Sequence, residues 1–212
     1  MIIKKALFLL LVSFVLFSCD NRIKRNMGKI SLEIFVYNQP SKNIYDAVRI
    51  PISKMYFKDE NFIEVLPNFE NYNKQIPFAF ISGDKFARFN NLNKINDIKK
   101  FYSLAKKNFG VKFINDSIKN YSSKKILPDT SFNGYNYKRV AIATKEDYTV
   151  FYIHQTDTIL PFSLSNQFDK DFHGILNRVD TYEIKKDRFT SLRMIVSDTI
   201  PATFFNALKS LK

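Results

Sequence analysis

Ile30-Ser31-Leu32-Glu33-Ile34-Phe35-Val36-Tyr37 decides the fold class. Aliphatic side chains recur at every second position, so Ile30, Leu32, Ile34 and Val36 share one face. Period two is the signature of a strand with one buried side. Gln39-Pro40-Ser41 ends it. Downstream, Ala47–Phe57 and Asn61–Leu66 read as strands joined by Lys58-Asp59-Glu60, with Pro51 at an edge or bulge position. Pro77–Ser82 is a short apolar strand stopped by Gly83-Asp84.

The middle of the chain changes period. Ile95, Ile98, Tyr102 and Ala105 fit one helical stripe, which predicts a helix over Asn93–Asn108 with Asn93 as N-cap and Gly110 just beyond its end. Lys99, Lys100, Lys106 and Lys107 then fall on or beside the polar face. Val111–Tyr121 reads as a second short helix. Leu127–Asn136 is rich in turn residues and marks a boundary. After it comes a strand series: Tyr137–Thr144, Tyr148–His154, Thr158–Leu164, Ile175–Lys185 and Arg188–Ser197. Leu192, Met194 and Val196 are expected to face the core. The chain closes with a helix over Pro201–Leu211, whose Phe204, Leu208 and Leu211 must pack on the sheet. The expectation is α+β: a meandering antiparallel sheet with helices packed on one face, including a C-terminal one. Regular strand–helix alternation and Gly-rich phosphate loops are missing, and there are only five glycines.

The first 18 residues read differently. Lys4 and Lys5 precede an apolar run from Ala6 to Phe17, broken only by Ser13. That run is shorter than the roughly 20 residues a spanning helix needs. It ends in Leu16-Phe17-Ser18-Cys19, which resembles the lipobox of bacterial lipoproteins: aliphatic, then small, then cysteine. The resemblance covers the signal alone and departs from the commonest pattern at Phe17. It implies a diacylglycerol on the Cys19 thiol and cleavage before Cys19. Two or three acyl chains are enough for stable anchoring. The division expected is a signal over 1–18, a flexible basic tether over 19–29, and one α+β domain over 30–212. Asp20 is the only acid soon after the cysteine, which favours a periplasm-facing outer-membrane protein.

Cys19 is the sole cysteine, so the mature chain has no internal disulfide. Taking Lys4 and Lys5 from the formal charge of +13 leaves +11. In an envelope protein that charge points to lipid headgroups or acidic polymers, not nucleic acid. The lysine-rich span Lys94–Lys125 contains only Asp97 and Asp116 as acids, and reads as a solvated face. The abundance of Lys, Asn, Ile, Phe and Tyr is compositional and carries no function.

Enzyme signatures are sparse. The sequence has two histidines, His154 and His173, and no G-x-S-x-G or H-E-x-x-H pattern. Asp169–Asp180 resembles the calcium loop of EF-hands, with Asp169, Asp171, Asn177 and Asp180 at oxygen-ligand places and Gly174 at the turn. His173 stands where an oxygen is expected, Asp180 is shorter than the usual Glu, and the flanks read as strands. A polar loop with Gly174 at positive φ is therefore expected, with no metal and no cofactor. The reading is a lipid-anchored envelope protein that binds another protein or an anionic polymer without catalysis. An envelope hydrolase or metal-assisted enzyme, and an immunity-type lipoprotein, are the alternatives. A cleft joining His173 to Asp169 or Asp171 would favour the enzyme.

Overall fold

A computed structural model of the protein describes residues 22–40, 42, 46–67, 78–113 and 117–210. Cys19, the signal and Leu211 lie outside the described residues.

The chain enters with two-residue β1 (Ile23–Lys24), then β2 (Met27–Asn38), β3 (Ala47–Lys58), β4 (Asn61–Val65), β5 (Phe78–Ser82), β6 (Lys85–Phe89) and β7 (Tyr102–Ser103). The second half holds β8 (Lys125–Phe132), β9 (Tyr135–Ala143), β10 (Asp147–Gln155), β11 (Thr158–Ile159), helix α1 (Asn166–Asp171), β12 (Gly174–Glu183), β13 (Arg188–Ser197) and helix α2 (Ala202–Ser210). Eleven strands form one sheet in the order β7-β6-β5-β4-β3-β2-β13-β12-β10-β9-β8, antiparallel throughout. Two meanders, β2–β7 and β8–β13, are thus joined along β2 and β13. β1 and β11 make a separate parallel pair.

The alternation in β2 sets the faces. Ile30 opposes Met55 on β3, and Leu32 opposes Met194 on β13. These side chains belong to a core with Phe57, Phe62 and Ile81, covered by Leu104, Phe109, Phe113 and Phe162. Further along the same face, α1 seats Phe168 on Val140, Phe151 and Leu176. Ser165 caps α1, accepting from the Phe168 N–H. On the opposite face, α2 places Ala207 and Leu208 on Tyr56 and Ile63. Phe204 stacks on Tyr56 at 3.9 Å between ring centroids.

The meander and the C-terminal helix match the sequence reading, but the balance differs. Among the described residues the protein is mostly β, and the two α-helices there lie on opposite faces of the sheet. The expected helix Asn93–Asn108 is a 3-10 turn, Leu92–Asp97, capped by Asn91, followed by β7 and a second turn, Leu104–Lys106. Tyr102 and Ser103 extend the sheet by pairing with β6, and that ladder outweighs the helical stripe. Of the second expected helix, the described residues show only a 3-10 turn at Tyr121–Ser123. The supposed boundary Leu127–Asn136 contains an edge strand, β8, and its turn to β9. Pro128 sits where the β8–β9 register slips, the position a strand proline tolerates. Pro51 likewise sits at a register shift between β2 and β3. Within the stretch expected to be flexible, Ile23–Lys24 form β1 and Met27 begins β2.

The crossover between the meanders is held by a buried ion pair. Lys107 Nζ lies 2.8 Å from Glu64 Oε2, and their side chains are 2% and 0% exposed. Ser53 Oγ and the Val111 N–H donate to Glu64 Oε1 at 2.9 and 2.6 Å. Lys107 also donates to the carbonyls of Phe109 and Val111. Gly110, at φ 59°, permits the approach, since a Cβ there would lie 2.3 Å from Glu64 Oε1. Burial pushes the Lys107 ammonium below its ordinary value, and the Glu64 carboxylate opposes that. Lys107, expected on a solvated face, is therefore a core residue.

Candidate functional site

The β12–β13 ladder runs from Glu183–Arg188 only as far as Arg178–Arg193. Beyond that rung the strands keep their outer neighbours but not each other. Gly174–Leu176 stays with β10, and Met194–Ser197 stays with β2. A wedge opens between them.

Two local features open it. Asn177 is an extra residue in the β10–β12 register, between the Tyr152–Arg178 and Ile153–Leu176 pairs. Such a bulge bends and twists its strand. Gly174 then lets β12 close onto β10: a Cβ there would fall 2.4 Å from the His154 carbonyl oxygen. The Leu176 N–H is taken by Asp169 Oδ1 at 2.6 Å.

The wedge is a cleft of about 500 Å³. Arg25, Arg178 and Arg193 line it with His154, Tyr135, Tyr137 and Asn177. Among the described residues, none of those lining it is acidic. Arg178 is fixed by two bonds to the Asp180 carboxylate, 2.9 and 2.7 Å, and its guanidinium lies 4.8 Å from the Tyr152 ring centre. Arg193 lies 4.2 Å from the Phe35 ring centre and donates to Ser191 Oγ. Arg25 is paired with Asp198. Asn177 Oδ1 is buried with no hydrogen-bond partner among the described residues. The His154 ring meets Tyr135 edge-on at 4.8 Å and tilts against Tyr137 at 5.7 Å. Burial holds its imidazole below the ordinary value.

The rung that ends the ladder carries two arginines; against the lowering effect of burial, Asp180 pairs with one of them and raises the Arg178 guanidinium above its ordinary value. Arg178 and Arg193 are direct cross-strand partners, and like charges so placed repel. Arg139 and Tyr152 continue the row on one side and Glu33 on the other. Glu33 accepts from Arg49, with Arg49 Nε at 3.0 Å. The row therefore presents fixed positive charge beside the open end of the wedge.

The calcium-loop residues do not converge. Asp169 accepts from Ser163 Oγ at 2.5 Å as well as from Leu176, and burial raises its carboxyl against those bonds. Asp171 accepts from the Tyr121 hydroxyl at 2.5 Å. His173, not Gly174, takes the positive φ of the turn, and it is exposed. Asp180 is buried on β12 with Arg178. Asn177 alone of the five lines the wedge. The upstream flank, read as extended, is helix α1. Among the described residues no three His, Cys, Asp or Glu side chains could share a metal.

A wider depression, lined by Arg88, Lys94, Lys99 and Lys100, lies beside the 3-10 turn Leu92–Asp97. It holds part of the basic span singled out in the sequence. Its lysines are exposed, whereas the wedge arginines are partly buried and braced.

No protein-family profile matches the chain, and no curated protein does. Among solved structures, PNGF-II crystallised in space group C2 is similar over 87% of this chain and 30% of that one, with 9% identity and a TM-score of 0.32. A DUF1329 family protein from Desulfovibrio piger is similar over 82% of this chain and 86% of that one, with 8% identity and a TM-score of 0.28. The chain spans less than a third of the length of the PNGF-II structure. Likenesses this distant carry no inference about activity.

Proposed function

We propose that the chain is a lipid-anchored protein of the bacterial cell envelope that binds an anionic group in the wedge, without catalysis. The anchor is Cys19, carried by the lipobox-like run Leu16–Cys19. The observation that supports the ligand class is the opposed pair Arg178 and Arg193 at the rung where the sheet splits. An anion between the two guanidiniums gains charge-assisted hydrogen bonds, which Arg makes in planar pairs.

Each neighbour has a role in this reading. Asp180 holds Arg178 in position before the ligand arrives. The Asn177 amide sits at the bulge with an unused buried oxygen, which accepts from a hydroxyl or N–H of the ligand. Tyr135, half exposed, offers a flat apolar face to a sugar ring or lipid backbone. The ligand is the phosphate or carboxylate of an envelope polymer or lipid.

The test titrates the mature protein, in detergent, with inorganic phosphate and with heparin as a soluble polyanion. Arg193→Gln is expected to weaken binding about tenfold, the loss of one charge-assisted bond, with stability unchanged within about 0.5 kcal/mol. Lys185→Gln, a surface change at the far end of β12, is expected to leave affinity unaltered. Equal binding by both variants, or none by the unaltered protein, overturns the reading.

A further inference from the structure

β1 and the wedge lie at the same end of the sheet. β1 begins at Ile23, four residues after Cys19. Four fully extended residues reach at most about 14 Å. β1 is not a loose tail. The Ile23 N–H donates to the Asp157 carbonyl at 2.7 Å and the Arg25 N–H to the Ile159 carbonyl at 2.9 Å. Lys24 pairs with Glu60 and Arg25 with Asp198. β1 is thus tied to one end of the sheet, where β2 and β12 begin and β13 ends.

The opposite end carries the turn at Ile184–Lys186. It is about 33 Å away, the rise of a ten-residue strand. A tether of 14 Å cannot bring that end to the bilayer. Nor can it take the β1 end beyond the headgroup layer and the water next to it. The β1 end also carries the apolar side chains such a position rewards. Ile23 is 72% exposed and Met27 51% exposed, beside Lys24 and Lys58. Both are left in water by the fold itself.

We infer that this end of the sheet docks on the bilayer, with Ile23 and Met27 at the boundary between headgroups and acyl chains. The inference rests on lipidation of Cys19. Docking fixes the sheet upright on the membrane. It also sets the wedge, through Arg25 and Thr158 beside β1, next to the headgroups. A ligand then reaches Arg178 and Arg193 along the membrane surface, not from the open periplasm.

The chain has no tryptophan, so one introduced residue is a unique reporter. Ile23→Trp and Ile184→Trp, both at exposed positions, are made in the full chain, and the mature forms are reconstituted into vesicles of phosphatidylcholine and phosphatidylglycerol carrying brominated acyl chains. Trp at position 23 is expected to shift to the blue and lose more than half its emission. Trp at position 184 is expected to keep the emission it has in water. The mass of the N-terminal peptide reads lipidation separately. A lipidated protein in which both reporters are quenched equally, or neither is, overturns the docking and leaves the anchor intact. An unmodified Cys19 overturns both.

Discussion

The Glu64–Lys107 crossover and the β12–β13 wedge both bring charge into the sheet, and they finish it in opposite ways. At Glu64 the contacts are internal: a hydroxyl and a backbone N–H donate to one carboxylate oxygen, and the Lys107 ammonium lies 2.8 Å from the other, which takes no hydrogen bond among the described residues. At the wedge two cations oppose one another across a rung, and an amide oxygen is left over. Buried polar groups that close on themselves hold a chain segment in place. Those left incomplete beside a cleft point to a ligand. On the proposed reading, that difference separates scaffold from site.

The comparison breaks most readily at the crossover. Lys107→Ala leaves a carboxylate buried without its cation, and a loss of about 3–5 kcal/mol is expected. Urea unfolding of the variant measures it. Replacing the pair together, Glu64→Gln with Lys107→Met, is expected to recover most of that loss. A loss below about 1 kcal/mol from Lys107→Ala would mean the crossover is not held by this pair.

A smaller effect is expected at α2. Phe204 is only partly buried, although it stacks on Tyr56 and meets Phe78 edge-on. Phe204→Ala is expected to cost roughly 2 kcal/mol, about half the loss from a fully buried ring. An unchanged melting temperature would show that α2 contributes nothing to the sheet.

The legible parts of the sequence were those where one period dominates. β2, β13 and the C-terminal helix each show a clear pattern, and all three stand where that pattern puts them. The Asn93–Asn108 segment also had a clean helical stripe, yet Tyr102 and Ser103 went to the sheet. An edge partner for β6 is a tertiary demand that a window of sequence does not contain. β6 itself was missed, although Lys85-Phe86-Ala87-Arg88-Phe89 follows a two-residue Gly83-Asp84 turn. The wedge was out of reach altogether. It depends on one extra residue, Asn177, and joins Arg25, His154, Arg178 and Arg193 from four distant stretches. Asn177 and Asp180 drew notice only as members of a calcium loop whose carboxylates turn out to serve Ser163, Tyr121 and Arg178 separately.

The smallest effect sharpens the wedge side of the comparison. Burial holds the His154 imidazole below its ordinary 6.5. As pH falls, the unfolded chain therefore takes this proton before the folded one. The contribution to stability is complete above pH 6.5 and is lost as pH drops through the folded value. Urea midpoints are expected to fall between pH 7 and pH 5, and less so in His154→Gln. With a polyanion bound, the charged imidazole gains a partner, so affinity is expected to rise over the same range. Affinity that falls on acidification would contradict an anion in the wedge.

The most direct measurement is amide hydrogen exchange on peptides covering Gly174–Asn177 and Met194–Ser197, with and without heparin. Faster exchange there than in the paired halves of the same strands is expected in the free protein. Bound polyanion is expected to slow it, while the crossover at Lys107–Val111 stays protected throughout. Uniform protection along β12 and β13, or no response to any anionic probe, would contradict a ligand site at the split.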